Sequence, residues 1–416
     1  MKYKNLFTKS IRSSARKYKR AFAIAAIAIA AAAFAQKANA QTFGGGAGTQ
    51  NDPWIISTDQ HLTDMAAWVN NNPGQARHWA LGSHVVWRGD RIGHAIGERY
   101  FRGSLDGKGY YIQITSMNTP NQVETAIFGV TRDATIRNLT VVCTENMRGG
   151  ERSGLLIGTA LGNLTIENVR ISTWSGNYRS SGKIWGGMIG RIYFDGYGNR
   201  ATISKSSVII QEVQLASTDN HDAGGLIGAI MTANNNCSGT VDITDCMVDV
   251  RYSTLSHPTV GGIIGWAAPG NVSINMTRVV SASSEPSGTW NGASRGSVVG
   301  ALESTLTTNG VFARSTPYIG SNNGTWRNSE HTSTVTEWDR NTNVYDLLER
   351  RNNSNGTINT NNRGNEVWGY DSWRNPQVAT EAYSNWSPTG YVVRVTRGSN
   401  LSISNHNYAS GTTSLC

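Results

Sequence analysis

Between residues 120 and 310 the chain alternates short aliphatic runs with Gly, Asn, Ser and Thr, and two of those runs recur in phase. The first is a pentapeptide. It reads Gly154-Leu155-Leu156-Ile157-Gly158, Gly186-Gly187-Met188-Ile189-Gly190, Gly224-Gly225-Leu226-Ile227-Gly228, Gly261-Gly262-Ile263-Ile264-Gly265 and Gly296-Ser297-Val298-Val299-Gly300. Ala126-Ile127-Phe128-Gly129 is a degenerate earlier copy, so the closing glycines lie 29, 32, 38, 37 and 35 residues apart. The second run is an aliphatic residue followed by another five positions later: Ile136/Val141, Ile166/Ile171, Ile203/Val208, Ile243/Val248 and Ile274/Val279. Three steps into each pair stand Leu139, Val169, Ser206, Cys246 and Thr277.

Each run has strand length and is bounded by Gly, Asn, Asp or Ser, and no copy holds an amphipathic stretch long enough for a helix. One copy cannot bury its own aliphatic side chains. Stacked copies can, because Ile then lies over Ile and each backbone pairs with the coil above and below. The pattern therefore predicts an all-β fold, a right-handed parallel β-helix of the pectin-lyase-like kind, with glycines at its sharp turns. A propeller needs about four strands in each period of about 40–45 residues, and these intervals are shorter and more variable. Intervals of uneven length imply loops of uneven size.

The Gly-Gly-Leu-Ile-Gly copies resemble the GLUG motif of bacterial adhesins, haemagglutinin-like proteins and the non-catalytic parts of IgA-specific metallopeptidases. Phe101-Arg102-Gly103-Ser104-Leu105-Asp106-Gly107, followed by Ile112 and Ile114, is similar to the coil that precedes such repeats. The resemblance spans about residues 100–310 and implies β-helical architecture far more than any particular activity.

The flanks read differently. In residues 41–99, Asn51-Asp52-Pro53 leads into the short strand Trp54-Ile55-Ile56, and Ser57 or Thr58 can cap a helix whose apolar positions are Leu62, Met65, Ala66 and Val69. Such a helix can seal the open end of a solenoid. In residues 311–416 the pentapeptide stops. Val344, Leu347 and Leu348 suit a short helix, and Tyr391–Val395 with Leu401–Ile403 suit a last pair of strands. Trp338, Trp368, Trp373 and Trp386 stand among polar residues there, as a C-terminal cap or as a sugar-stacking platform.

Residues 1–40 read as an export signal. A basic stretch without acids precedes the apolar run from Ala21 to Ala35, and Ala38-Asn39-Ala40 sets cleavage after Ala40. This changes the charge argument. Of the chain's 37 basic and 28 acidic side chains, residues 1–40 hold nine basic and no acidic ones, so the mature chain has 28 of each. The excess of basic charge belongs to the signal and gives no reason to expect a nucleic-acid partner. The expectation is a secreted or cell-surface protein, not membrane-spanning once mature. Cys143, Cys237, Cys246 and Cys416 match no zinc spacing, and Cys143 and Cys246 fall on strands as small buried hydrophobes.

Chemistry-bearing patterns are sparse. The eight histidines form no His-Glu-x-x-His, and no Gly-x-Ser-x-Gly elbow occurs. No cofactor or metal is indicated. The best polar cluster is Asp219, His221 and Asp222, ahead of Gly224, in what reads as a loop; Asp242, Asp245 and Asp249 come next, alternating with core residues. Two functions follow as expectations. One is a non-catalytic, adhesin-like binding or structural protein facing a host or environmental glycan or protein surface. The other is a polysaccharide lyase or glycosidase, which needs converging carboxylates or a nearby base.

Overall fold

The computed structural model describes residues 43–328, apart from 90, 116, 119–122, 145–146, 174–177, 181–182, 216–221, 256–258, 282, 284–293 and 314–317, together with the strands at 367–371, 376–379 and 390–394. The export signal, the 344–348 segment and 401–403 lie outside the described residues. The chain is an all-β parallel β-helix, and four parallel ladders carry its repeats. The first stacks Glu124–Thr125, Arg152–Gly154, Ile184–Gly186, Asp222–Gly224, Thr259–Gly261 and Ser294–Gly296. The second stacks the starts of Phe128–Cys143 and Ile157–Thr173 with Ile189–Phe194, Ile227–Thr232, Ile264–Ala267, Val299–Leu302 and Ile319–Asn322. The third and fourth run through the remainder of the long strands, for example 199–204 on 239–244 and 208–210 on 248–250.

The pentapeptide bridges the first two ladders. Its first glycine ends a first-ladder strand, the next two residues bend, and its last two open a second-ladder strand. The ladders then lie against each other through backbone atoms. A Cβ on Gly224 would overlap the Ile227 carbonyl oxygen and would come 2.5 Å from the Gly265 nitrogen of the next coil. A Cβ on Gly228 would come 2.5 Å from the carbonyl oxygens of Gly190 and Trp185. Close approach, more than turn geometry, requires glycine at these positions. The spine of closing glycines is longer than the pentapeptides suggest. Gly93, after Ile92, lies beneath Gly129, and Gly320, after Ile319, lies beyond Gly300.

The five-residue spacing of the aliphatic pairs has a separate cause. On a straight strand, positions i and i+5 point to opposite faces. Here Ile136 and Val141, Ile166 and Ile171, Ile203 and Val208, and Ile243 and Val248 are all buried. Between the members of each pair one residue takes a left-handed backbone: Asn138, Asn168, Lys205 and Asp245, with φ of 58°, 54°, 49° and 55°. Each makes a corner that returns the chain to the core. Asn138 and Asn168 also form a ladder, the Asn168 amide donating to Asn138 Oδ1 at 3.1 Å. In the last full copy the register differs from the sequence pattern. Ile243 lies beside Met276 and Val248 beside Ser281, so the stacked pair is Met276/Ser281 in place of Ile274/Val279, and Val279, not Thr277, lies beside Cys246. A shift of two residues keeps every side chain on its face, so periodicity alone cannot detect it.

At the N-terminal end Trp54–Ile56, Arg77–Leu81 and Phe101–Asp106 continue the third ladder. The helix Asp59–Asn71 covers this end with Leu62, Met65, Ala66 and Val69 buried. Thr58 Oγ1 caps it, accepting from the His61 amide, and Asp59 Oδ1 accepts from the Val86 amide at 2.7 Å. Beneath it Phe43, Trp54, Trp79, Phe101 and Phe128 form a chain of ring contacts with centroids 4.6–5.8 Å apart. Val367–Asp371, Pro376–Ala379 and Gly390–Arg394 form a separate three-stranded antiparallel sheet, with Val367–Asp371 in the middle.

Candidate functional site

The third ladder buries one set of side chains and presents the other. Ala201, Ile203, Val241, Ile243, Ile274 and Met276 are buried. The residues between them form three aligned polar columns. The middle column is Ser104, Thr135, Thr165, Thr202, Asp242, Asn275 and Thr307. One flank is Arg200, Thr240, Ser273, Thr305 and Thr325, and the other is Arg137, Glu167, Ser204, Thr244 and Thr277. Parallel pairing places neighbours in a column about 4.8 Å apart and neighbouring columns about 6.6 Å apart. The charges in this array are paired, within it or with residues beside it, as Arg137 is with Asp106 at 3.0 Å. Arg200 Nε meets Asp242 Oδ2 at 2.7 Å, Lys205 meets Glu167 at 3.2 Å, and the Asn275 amide donates to Asp242 Oδ1 at 2.9 Å. What remains is an extended field of hydroxyl and amide groups, each able to donate or accept.

A second polar set lies where the first two ladders meet. Asp222 opens the strand Asp222–Gly224 and lies between Ile184 and Thr259. Burial, and then the charge of Glu303, push its carboxyl up to about 7, against the lowering effect of a hydrogen bond with the Thr259 side chain. Trp266 Nε1 donates to Glu303 Oε1 at 3.0 Å. The set therefore brings together an acid that titrates near neutrality, a second carboxylate and an indole.

Of the predicted polar cluster, Asp222 thus lies on a strand and not in a loop, while Asp219 and His221 lie outside the described residues. The second acidic cluster is divided among separate tasks. Asp242 pairs with Arg200, Asp245 takes a bidentate pair with Arg278 at the corner, and Asp249 is buried beyond the corner on the same long strand, Ser238–Leu255. Trp368 is the second residue of Val367–Asp371, and Trp338, Trp373 and Trp386 lie outside the described residues. The repeat glycines Gly154, Gly158, Gly186, Gly187, Gly190, Gly224, Gly225, Gly228, Gly261, Gly262, Gly265, Gly296 and Gly300 serve ladder contact. Cys143, Cys237 and Cys246 are buried, and burial pushes the Cys246 thiol up to about 12. Among the described residues no three His, Cys, Asp or Glu side chains gather as a metal-ligand set.

Sequence reasoning missed Thr259, Trp266 and Glu303. For Trp266 alone the signal lay in the repeat, since Thr159, Arg191, Ala229, Trp266 and Ala301 all directly follow a closing glycine and therefore share one column. Aligning the copies one residue beyond the pentapeptide exposes it.

Comparison with known proteins adds the fold and little more. No family model matches the chain. A segment of 194 residues, 44% of the chain, is 27% identical to Halomucin from Haloquadratum walsbyi, and that match covers 2% of Halomucin. A crystal structure from Bacteroides ovatus, described as a "putative immunoglobulin A1 protease", superposes with a TM-score of 0.51 at 17% identity, covering 83% of this chain and 96% of that one. At that identity the likeness concerns the fold alone. No helix among the described residues is long and apolar enough to cross a membrane.

Proposed function

We propose that this chain is an exported, non-catalytic β-helix protein that offers an adhesin-like binding surface to a glycan or protein partner outside the cell. The observation that carries this reading is the three-column polar array on the third ladder. A regular field of hydroxyl and amide groups, with its charges already paired, suits a long polar partner contacted weakly at many points. In this reading residues 1–40 are removed on export, and the Gly-x-aliphatic-aliphatic-Gly copies are GLUG-like structural units. The names borne by the Halomucin and Bacteroides ovatus matches agree with an extracellular setting. The test is a glycan array on the protein begun at Gln41, with Thr165→Tyr and Thr202→Tyr beside it. Binding by the parent and loss in both variants is the expected result; equal binding by all three would overturn the placement on this face.

One observation favours a second reading, a carbohydrate-active enzyme. A carboxyl near pKa 7 is suited to general-acid work at neutral pH, and Glu303 supplies the second carboxylate that a glycosidase needs. Reducing-end or unsaturated-product assays on a polysaccharide panel separate the two readings. Product release that is lost in Asp222→Asn would establish the enzyme.

A further inference from the structure

The second ladder carries a guanidinium that makes no ion pair among the described residues. Arg191 lies in register between Thr159 and Ala229. Around it the other charges are spoken for. Buried Glu124 meets Arg152 at 3.0 Å and Arg91 at 3.8 Å, and Arg152 also reaches Glu151 at 3.4 Å. Among the described residues Arg191 feels Arg152, Glu124 and Glu151, and both carboxylates are already paired with Arg152 or Arg91. Among the described residues Arg191 has no ion pair or hydrogen bond, and its one ring contact is Tyr193, 4.5 Å from guanidinium carbon to ring centroid. Its Nε is buried without a partner, and so is Oγ1 of Thr159 on the neighbouring strand. Burial, and then the charge of Arg152, lower the Arg191 pKa to about 10, and Tyr193 with the already paired Glu124 and Glu151 only partly oppose this. A cation held in this way is costly unless something supplies the missing charge.

We propose that Arg191, with Arg152 beside it, binds the carboxylate of an acidic sugar residue. The planar fork of a guanidinium matches a carboxylate, and Tyr193 holds that plane in place. The neighbours select a saccharide as the carrier. Tyr193 shares its register with Leu161, and Leu161 with Arg132, which pairs with Asp195 and lies 5.3 Å from the Tyr100 ring. Ring faces, a guanidinium and a carboxylate are partners for sugar rings and hydroxyls, whereas an acidic peptide is held best by a free strand edge or an apolar groove. This site is separate from the three-column array, so its fate does not depend on that surface.

The test is calorimetric titration of the protein begun at Gln41 with glucuronate and galacturonate, with glucose as the neutral control and an oligoglutamate peptide as the rival carrier. The expected result is binding of a uronate but not of glucose, weakened at least about tenfold in Arg191→Met and also in Arg191→Lys, which keeps the charge and loses the fork. Thr202→Tyr leaves it unchanged. Thermal melting supplies the second readout. Without ligand Arg191→Met melts no lower than the parent, because it removes a half-buried charge that has no ion pair of its own among the described residues. Absence of uronate binding, equal binding by Arg191→Met, preference for oligoglutamate, or a lowered melting temperature with uronate binding intact would each overturn the proposal.

Discussion

The glycines of the pentapeptide are where one atom decides the outcome. Gly228 sits between the carbonyls of Gly190 and Trp185, both 2.5 Å from the place of a methyl group. Backbone cannot step aside as a side-chain tip can. Gly228→Ala is therefore expected to lose about 3 kcal/mol or more, read as a fall in the chemical-denaturation midpoint. Gly198, with φ of 69° and open space around it, is the control. Gly198→Ala should lose only about 1–2 kcal/mol, from its left-handed backbone alone. Asp222 gives the second residue-scale prediction. Its folded pKa, about 7, is above the unfolded value of 3.8, so the folded state holds the proton more tightly. Stability then falls as pH rises from about 4 to about 7, and above that the burial cost stands in full. Asp222→Asn should gain on the order of 2 kcal/mol over the parent at pH 8, with the difference vanishing near pH 4, measured by melting at both. A pH-independent difference would mean that Asp222 ionises normally.

At the scale of the element, the left-handed corner turns a paired aliphatic pattern into a coil. Asn and Asp tolerate that backbone better than Lys does. Lys205→Asn should therefore stabilise by about 0.5–1 kcal/mol, and the exposed pair that Lys205 makes with Glu167 offsets little of it. Denaturant titration checks this, and a loss would show that the ion pair outweighs the backbone. The corner also shows where sequence reading succeeds and where it stops. Ile136/Val141 and its successors were legible because burying them sets an aliphatic requirement at each copy. The corner between them was not, because Asn138, Asn168, Lys205, Asp245 and Arg278 share a backbone angle while Lys205 and Arg278 lack the short Asn/Asp side chain of the other three. Ile274 and Met276 are both apolar and on the same face, so only pairing distinguishes them. Ile92-Gly93 and Ile319-Gly320 are copies reduced to two residues, too short to stand out by pattern. The Asp222, Trp266 and Glu303 set spans three coils, and no local pattern records a meeting across coils.

For the whole molecule, a stack of coils has ends, and each end is an unpaired row of amides and carbonyls over an open core. The helix Asp59–Asn71 covers one of them. Its hold rests on four buried side chains and on Asp59, which bonds the Val86 amide. The aromatic chain from Phe43 to Phe128 lies directly beneath, so a displaced helix would leave large apolar rings facing water. The interior coils pair with neighbours on both sides and do not need the helix to keep their register. Leu62→Asp together with Met65→Asp should therefore not unfold the solenoid. It should instead make it sticky at one end: far-UV circular dichroism unchanged, and a mass by light scattering that rises with concentration as exposed ends meet. A monodisperse monomer with intact dichroism would show that the aromatic layer seals this end without the helix. Global loss of dichroism would show that stability spreads from the helix through the stack, against the nearest-neighbour energetics expected of a solenoid.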